Sequence, residues 1–172
     1  MNKPEFIIIA ALAESNRAIA NKGELPWNIP EDSQRFEILT RNHTLIVGRQ
    51  TWAKDLKNSP IENRSIIVVT SLPQEVETEA QDYPEEVLIV TSVKEAMEAK
   101  ETEKIFIAGG ATIYAQTLEL ADTWELTLVE GDFAGNTFFP EYQHLIGIKF
   151  ELVNKEEHPG FRFETYKKII KS

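Results

Sequence analysis

Asp32 is a carboxylate at the point where an apolar turn meets the start of a helix. It ends the run Leu25-Pro26-Trp27-Asn28-Ile29-Pro30-Glu31-Asp32, and Pro30 suits a first helical position because its missing N–H would lack a partner there anyway. Near side chains such as Trp27 and Phe36, a carboxyl group holds its proton tightly and can act as a proton donor or ligand anchor near neutral pH. The position also suits an acid that only complements the helix dipole, so other residues must decide between the two roles.

A pair of glycines, Gly109 and Gly110, separates an apolar run from a helical segment. Glycine lets the backbone approach a ligand closely, and the free N–H groups of the following helix start can bind phosphate. The pair lacks the lysine and hydroxyl residue of a Walker loop, and it does not match GxGxxG. It therefore indicates either a phosphate cradle or a tight junction between a strand and a helix.

A second junction of this kind contains an arginine. In Val47-Gly48-Arg49-Gln50-Thr51-Trp52 an apolar strand meets a helix start, and Arg49 could hold a phosphate with two parallel hydrogen bonds. Thr70 and Ser71 end the next apolar run with hydroxyl donors, and Arg64 precedes that run. For either arginine the alternative is a surface ion pair. Because ligands of open α/β sheets bind at the carboxyl ends of the strands, these residues predict a nucleotide across that edge.

Short, continuous apolar runs predict the strands that position these residues. Continuous apolarity, rich in β-branched side chains, indicates strands buried on both faces, as in a parallel sheet covered by helices. The five runs are Phe6–Leu12, Thr44–Gly48, Ser65–Thr70, Val87–Val90 and Ile105–Ala108. Helices are predicted at four places, namely Pro30 to about Arg41, shortly after Gly48, from the capping box Ser92-Val93-Lys94-Glu95, and from just after Gly110 through Leu118.

The end of the chain alternates between apolar and polar residues. Trp124–Val129, Lys149–Asn154 and Phe161–Ile169 have the period of strands, and His158-Pro159-Gly160 is a turn signal between the last two. We therefore expect a single α/β domain over residues 1–172. Its central sheet is mixed and mostly parallel, flanked by about four helices, with a C-terminal antiparallel hairpin at one edge.

Composition narrows the classes of function. The 172 residues include no cysteine and three scattered histidines, so the sequence offers neither a disulfide nor a metal-ligand spacing. The net charge of −10 argues against nucleic acid or an anionic membrane as a partner. Residues 75–103 hold ten acids against two lysines, a solvated surface by our interpretation, so an anionic ligand needs specific arginines. No apolar run has transmembrane length and no cleavage pattern follows the first one, so we expect a soluble, cytoplasmic protein.

Five segments of the chain, in this order and spacing, resemble dihydrofolate reductase. They are Ala10-Ala11-Leu12-Ala13, Leu25–Asp32, Val47–Trp52, Gly109–Tyr114 and Gly135-Asn136-Thr137-Phe138-Phe139-Pro140. The resemblance extends over roughly residues 5–169 and is to a bacterial, chromosomal-type member. It implies hydride transfer from NADPH to 7,8-dihydrofolate, giving tetrahydrofolate for one-carbon metabolism. It also implies a monomer and inhibition by antifolates.

The resemblance assigns roles near the pterin ring. Asp32 matches the acid that hydrogen-bonds the pterin amide and 2-amino edge and supports protonation at N5, while the proton itself arrives through water. Thr127 matches the hydroxyl that steadies this carboxylate, and Trp27 matches the residue that orders a nearby water. Leu25 lies on the matching loop, residues about 14–28, which closes over the nicotinamide and excludes water.

Further residues match the folate and cofactor sites of the family. Phe36, Leu56 and Ile61 resemble the apolar walls of the pterin and benzoyl pocket. Arg64 resembles the clamp on the glutamate α-carboxylate. Ala11 and Tyr114 line the nicotinamide pocket and also border the substrate. The remaining cofactor positions are Ile19, Ala20, Gly48, Arg49, Gln50, Thr51, Thr70, Ser71, Gly109, Gly110, Ala111, Thr112, Ile113 and Thr137.

Two features of the cofactor site follow from the same resemblance. Arg49, Thr51, Thr70 and Ser71 correspond to the 2′-phosphate and adenine-ribose site, which favours NADPH over NADH. Gly110–Ile113 correspond to the pyrophosphate cradle. The family has a cis peptide between its two glycines, and we expect one between Gly109 and Gly110, although such bonds are otherwise rare outside proline.

Several positions depart from the family's pattern, among them Thr44, where a proline often precedes the second strand, and a short segment near Glu156–Phe161 between the last two strands. Ala20 stands where the closing loop usually has glycine, and Ser33 stands where an apolar residue usually follows the acid. Ala108 replaces a larger aliphatic residue before the glycine pair. These departures affect loop closure, substrate affinity and antifolate response, and they remove no group that the chemistry needs.

Two rival functions remain open to the sequence. One is a pteridine or aminopyrimidine reductase of the riboflavin type on the same scaffold. The other is a nucleotide-binding domain that does no chemistry. The pair Trp27 and Asp32, together with Arg64, favours folate over the first rival. The second gives no reason for Asp32 and Trp27 to coexist with Thr127.

Overall fold

Four of the five apolar runs form inner strands of one large sheet in a computed structural model of the chain, which describes residues 3–99 and 102–170, and the fifth, Val87–Val90, forms an edge of that sheet. The strands are β1 Glu5–Ala13, β2 Ala18–Ala20, β3 Thr44–Gly48, β4 Ser65–Val69, β5 Val87–Val90, β6 Lys104–Ile107, β7 Thr123–Val129, β8 Thr137–Phe138, β9 Phe150–His158 and β10 Phe161–Lys168. The helices are α1 Pro30–Thr40, α2 Pro73–Glu79, α3 Val93–Glu98 and α4 Ala111–Thr117. A π-helical turn spans Thr51–Asp55, and a 3-10 turn spans Gln143–Leu145.

The eight-stranded sheet has the order β5-β4-β3-β6-β1-β7-β10-β9. Neighbours from β5 to β7 are parallel, and β10 is antiparallel to both β7 and β9. Pro159 and Gly160 connect β9 to β10, and Gly160 has a φ of 85°, which glycine adopts at little cost. The predicted mixed sheet with a C-terminal hairpin at one edge is confirmed.

Each inner strand is buried on both faces, as its continuous apolar sequence predicts. Successive residues of a strand point to opposite faces, so Ile8 and Ile46 lie in one core cluster while Ile7 and Leu45 lie in the other. The first cluster extends to Trp124 and the aromatic side chains beneath β10. The parallel strands are therefore fixed by packing from both sides, which holds their carboxyl ends in one row.

A second, two-stranded ribbon was not predicted. β2 pairs antiparallel with β8, with Ala18 opposite Phe138 and Ala20 opposite Thr137. Strands of three and two residues are too short to show a period in the sequence, and only their pairing defines them. The ribbon fastens residues 14–28 to the segment that precedes β8.

The helices follow their sequence signals with one omission. Pro30 occupies the first turn of α1, and the Ser92 hydroxyl accepts a hydrogen bond of 3.1 Å from the Glu95 N–H at the start of α3. The helix predicted after Gly48 is a π-helical turn. Helix α2, which begins at Pro73, was missed, and its position proves important for Arg49. Within the described ranges, no helix combines the length and apolar character that crossing a membrane requires.

Candidate active site

Asp32 lies in the first turn of α1, with its carboxylate against β7. The Thr127 hydroxyl donates a hydrogen bond of 2.6 Å to Asp32 Oδ1. Burial raises the pKa of Asp32 above its ordinary value of 3.8, while the Thr127 hydrogen bond and the positive charge of Arg35 act in the opposite direction. In the described part of the chain no hydrogen bond from protein reaches Oδ2, so half of the carboxylate is available to a ligand.

The register of the sheet explains why Thr127 meets this acid. Thr127 lies in the middle of β7, opposite Ala11 of β1 on one side and Phe163 of β10 on the other. Its side chain is buried, so its hydroxyl needs a polar partner, and Asp32 supplies one. The structure therefore brings together Asp32, Thr127 and Ala11, which are distant in the sequence.

Arg35 is a residue near this acid that the sequence reasoning missed. Its guanidinium forms an ion pair of 2.5 Å with Glu125 and lies 4.5 Å from the centre of the Phe163 ring. The Thr165 hydroxyl also donates to Glu125, at 2.9 Å. Arg35 follows Asp32 by three residues on α1, a spacing that places both side chains on one face and could have identified it.

Trp27 packs against a small apolar cluster of Val129, Phe161 and Phe163, which lies next to the residues around Asp32. Its ring meets Phe133 edge-on at a centroid distance of 5.2 Å. The indole Nε1 is buried and has no partner among the described residues. A buried donor of this kind pairs with an ordered water when room allows, which agrees with the role that the resemblance assigns to Trp27.

The loop of residues 14–28, which the sequence predicts to close over the site, is held along one side by the segment before β8. Asn136 N donates to the Ala20 carbonyl at 3.1 Å, and Lys22 N donates to the Asn136 side chain at 3.0 Å. Ile19, Ala20 and Thr137 therefore lie together in the ribbon of β2 and β8. Leu25, further along the loop, is 61% exposed, so its apolar surface is free to cover a bound ligand.

Arg64 lies beside a groove and is not in a surface ion pair. It donates to the Thr40 hydroxyl at 3.1 Å, to the Glu62 carbonyl at 2.6 Å and to the Glu37 carbonyl at 2.7 Å. Burial lowers the pKa of its guanidinium, which remains a cation at neutral pH. The groove has a volume of about 520 Å³ and is lined by Ser33, Phe36, Glu37, Arg41, Ile61, Glu62, Asn63 and Arg64. It suits a ligand with an apolar body and an anionic end.

The apolar walls expected for this ligand are half-buried side chains. Phe36, Leu56 and Ile61 pack against the core cluster that contains Trp52. Each leaves part of its surface uncovered, as a wall of a binding pocket must.

The glycine pair forms a close contact with the neighbouring strand. The peptide bond between Gly109 and Gly110 is cis, as expected. Gly48 N donates to the Gly109 carbonyl at 2.7 Å, which joins the ends of β3 and β6. Gly109 has a φ of 111°, and a Cβ there would lie 3.2 Å from the Tyr114 ring. A side chain at Gly109 is therefore excluded by both the backbone and the contact.

The start of α4 has the features of an anion cradle. The first N–H groups of a helix lack partners within it, and here they belong to Ala111, Thr112 and Ile113. A Cβ on Gly48 would lie 3.1 Å from Ile113, so this glycine lets the end of β3 pack closely against the start of α4. Tyr114 donates from its hydroxyl to the Ile9 carbonyl at 2.8 Å, and its pKa is raised, chiefly by burial. The tyrosine therefore acts by position and not as an acid.

Arg49 is already paired with carboxylates. Its Nη1 lies 2.6 Å from Glu75 and its Nη2 lies 2.9 Å from Glu79, both on α2. Thr70 and Ser71 directly follow β4, and the Thr70 hydroxyl accepts a hydrogen bond from the Leu72 N–H at 3.0 Å. Thr51 lies near Gly110, and Gln50 is exposed. The sequence reasoning did not foresee the two glutamates because it missed the helix that presents them.

The chain matches known proteins over nearly its whole length. A model of the dihydrofolate reductase family matches residues 5–168. Dihydrofolate reductase HdrB of Haloferax volcanii is 31% identical over 172 residues, which cover 95% of this chain and 83% of the relative. Dihydrofolate reductase of Bacillus subtilis is 32% identical over 145 residues, which cover 84% of this chain and 79% of the relative.

A solved structure agrees with these matches. Dihydrofolate reductase from Enterococcus faecalis, complexed with NADP(H) and RAB-propyl, superimposes with a TM-score of 0.79 at 30% sequence identity. The superposition covers 96% of this chain and 97% of that one. The likeness therefore includes the sheet, the helices and the strand ends at which the candidate site lies.

Proposed function

Since the chain belongs to the dihydrofolate reductase family, its reaction is the NADPH-dependent reduction of 7,8-dihydrofolate to 5,6,7,8-tetrahydrofolate, and we propose that Asp32 is the acid on which this reaction depends. The observation that supports the proposal is the hydrogen bond of 2.6 Å from Thr127 to a carboxylate whose pKa burial raises. Such an acid can hold a flat heterocycle at one edge and favour its protonation.

Asp32 orients the substrate and supports protonation at N5. With Thr127 on one oxygen, the carboxylate can still accept two parallel hydrogen bonds from the pterin amide and 2-amino edge. This edge faces away from N5, so the proton reaches N5 through water. The unpaired Nε1 of Trp27 is suited to hold that water. Leu25 and the rest of residues 14–28 close the site and keep out bulk water.

The groove beside Arg64 receives the rest of the substrate. Phe36, Leu56 and Ile61 cover the apolar rings, and Arg64 binds the glutamate α-carboxylate with the donors that its three protein bonds leave free. This assignment separates folate from a riboflavin-type substrate, which has no such carboxylate.

The cofactor site fits NADPH at its strand ends. When bound, NADPH supplies the hydride. Gly110, where an added Cβ would meet only Thr51 at 3.7 Å, leaves room for a pyrophosphate beside the N–H groups of Ala111–Ile113, and Gly48 and Gly109 let the adjoining backbone pack closely. Ala11 and Tyr114 line the nicotinamide side, and Ile19, Ala20 and Thr137 cover it from the ribbon. Arg49, with Gln50, Thr51, Thr70 and Ser71, holds the adenine-ribose end.

The remaining expectations from the sequence belong to the same proposal. The protein acts in the cytoplasm as a monomer, in one-carbon metabolism, and antifolates inhibit it. Sedimentation equilibrium tests the monomer, and loss of activity with added antifolate tests the inhibition.

The assignment of Asp32 is tested by Asp32→Asn, which keeps the shape of the side chain and removes its charge. With NADPH and dihydrofolate, we expect the wild-type protein to oxidise NADPH, which is followed as a fall in nicotinamide absorbance. The variant should lose about 100-fold or more in kcat/KM. The matched control is Glu31→Gln, which alters the neighbouring exposed acid of the same helical turn and should leave the rate within about twofold. Full activity in Asp32→Asn at neutral pH contradicts the assignment, and wild-type protein inactive on dihydrofolate contradicts the function.

A further inference from the structure

Glu75 and Glu79 form ion pairs with Arg49, the arginine that the 2′-phosphate of the cofactor would need. They bind the two terminal nitrogens of Arg49, at 2.6 and 2.9 Å. The Trp52 Nε1 donates to the second oxygen of Glu79 at 2.8 Å, so this carboxylate is fixed from two sides. The side chains of Arg49 and Glu79 are both partly buried, with 30% and 24% of their surface exposed. Glu79, Arg49 and Trp52 therefore form a partly buried network, which the more exposed Glu75 joins at its edge.

The charge around Arg49 is net negative. Residues 69–73, 90–93 and 108–113, which include the neighbouring strand ends, contain no lysine or arginine. Their polar side chains are hydroxyls, including Thr70, Ser71 and Thr112. Helix α2 meanwhile presents Glu75, Glu77 and Glu79. A dianionic phosphate between Arg49 and these segments therefore finds no cation in the segments, and two carboxylates already offset the charge of Arg49.

We propose that Glu75 and Glu79 are specificity-determining residues that weaken the preference of this protein for NADPH over NADH. A 2′-phosphate must share Arg49 with the two carboxylates and is repelled by both, whereas the 2′-hydroxyl of NADH is uncharged, so it needs no cation and is not repelled. The carboxylates therefore reduce the affinity for NADPH and leave that for NADH nearly unchanged. This inference rests on the proposed function, because it concerns the adenine-ribose end of the same cofactor site.

The test is direct binding of each cofactor, in the absence of dihydrofolate, to Glu75→Gln, Glu79→Gln and the double variant. Glutamine keeps an oxygen for Trp52 while removing the negative charge. Isothermal titration calorimetry should give a dissociation constant for NADPH that is about tenfold lower in the double variant, with that for NADH within about twofold. Glu77→Gln is the matched control, because Glu77 is exposed on the same helix and no described residue links it to Arg49. It should change neither constant by more than about twofold.

A second background isolates the network. Arg49→Ala by itself should weaken the binding of NADPH much more than that of NADH. When both glutamine substitutions are added to Arg49→Ala, the gain in NADPH affinity should be smaller than the gain that they give in the protein with Arg49. Unchanged or weaker NADPH binding in the folded double variant overturns the proposal, and so does an equal gain for NADPH and NADH. If Glu79→Gln fails to fold, Glu75→Gln alone decides by the same criteria.

Failure of this proposal is distinguishable from failure of the proposed function. Cofactor binding needs no turnover, so a wild-type protein that binds NADPH but does not reduce dihydrofolate contradicts only the function. A wild-type protein that binds neither dinucleotide contradicts both.

Discussion

At the scale of the residue, the site depends on a balance of forces on Asp32. Burial raises the pKa of its carboxyl above 3.8, and Thr127 and Arg35 limit that rise. Because the folded state holds this proton more tightly than the unfolded chain, the free energy of unfolding falls as the pH rises from 3.8 through the folded-state pKa. At neutral pH the buried charge therefore costs stability. Loss of activity in Asp32→Asn thus reflects the lost carboxylate and not a weaker fold.

Thr127→Val tests the partner of this acid. Removing a hydrogen bond that lowers the pKa of Asp32 should raise that pKa, so the acidic inflection in the pH profile of kcat/KM should move to higher pH. The lost bond to a charged group should also reduce kcat/KM about tenfold at neutral pH. Thr127→Ser keeps the hydroxyl and should restore both. A valine variant whose inflection coincides with that of wild type argues against the coupling.

At the scale of the element, short segments without a sequence period decide how the site closes. The ribbon of β2 and β8 brings the closing loop onto residues 131–139, where Ser15 and Asn16 donate to the Gly131 and Phe133 carbonyls. Helix α2 has only seven residues, yet it presents the two glutamates that engage Arg49. The roles of the ribbon and of α2 therefore come from their tertiary contacts and not from a pattern in their own short sequences.

Gly135→Ala tests the contact beneath the ribbon. A Cβ at Gly135 would lie 2.5 Å from the Ala18 Cβ and 3.1 Å from the Ala20 carbonyl, so β2 must move away. We expect a loss of about 1 to 3 kcal/mol in the free energy of unfolding by denaturant. NADPH binding should weaken, since the loop that covers the nicotinamide is displaced. Ala134→Val, which enlarges the exposed neighbouring side chain, should do neither. Normal stability and cofactor affinity in Gly135→Ala mean that the ribbon does not position the loop.

At the scale of the whole molecule, stability and chemistry lie at different ends of the sheet. Fully buried Trp124 stacks on Phe150 at a centroid distance of 3.9 Å, with Tyr142 and Tyr166 around them. This cluster lies near the amino end of β7, whereas the cofactor residues lie at the carboxyl ends of the parallel strands. This aromatic cluster therefore completes the core away from Asp32, while Phe161 and Phe163 at the start of β10 pack beside the site.

Phe150→Ala tests this separation. Truncating a fully buried aromatic ring should lower the free energy of unfolding by about 3 to 5 kcal/mol, in a single cooperative transition. Below that transition kcat should stay within about twofold of wild type, because no described contact joins Phe150 to the site. Val153→Ala, at a half-exposed position of the same strand, should cost less than about 1 kcal/mol. A large fall in kcat at a temperature where the variant is folded would couple the edge to catalysis.

Predictability from the sequence followed the strength of local signals. Ile66-Ile67-Val68-Val69 predicted β4 because a short β-branched run suits a buried strand, and Ser92 with Glu95 predicted the start of α3 because capping is local. Helix α2 escaped notice because seven mostly polar residues give no clear apolar stripe. Arg35 escaped because its importance comes from Glu125 and Phe163, which are remote in the chain.

The sequence by itself determined the sheet, its antiparallel edge and the family, because burial on both faces and the spaced motifs are written in consecutive residues. It also singled out Asp32. Only the tertiary structure showed that Arg35 acts on that acid and that Glu75 and Glu79 pair with Arg49, because ion pairs such as Arg35 to Glu125 join residues 90 positions apart. The electrostatics of a site depend on distances in space, and a linear pattern of residue types does not contain them.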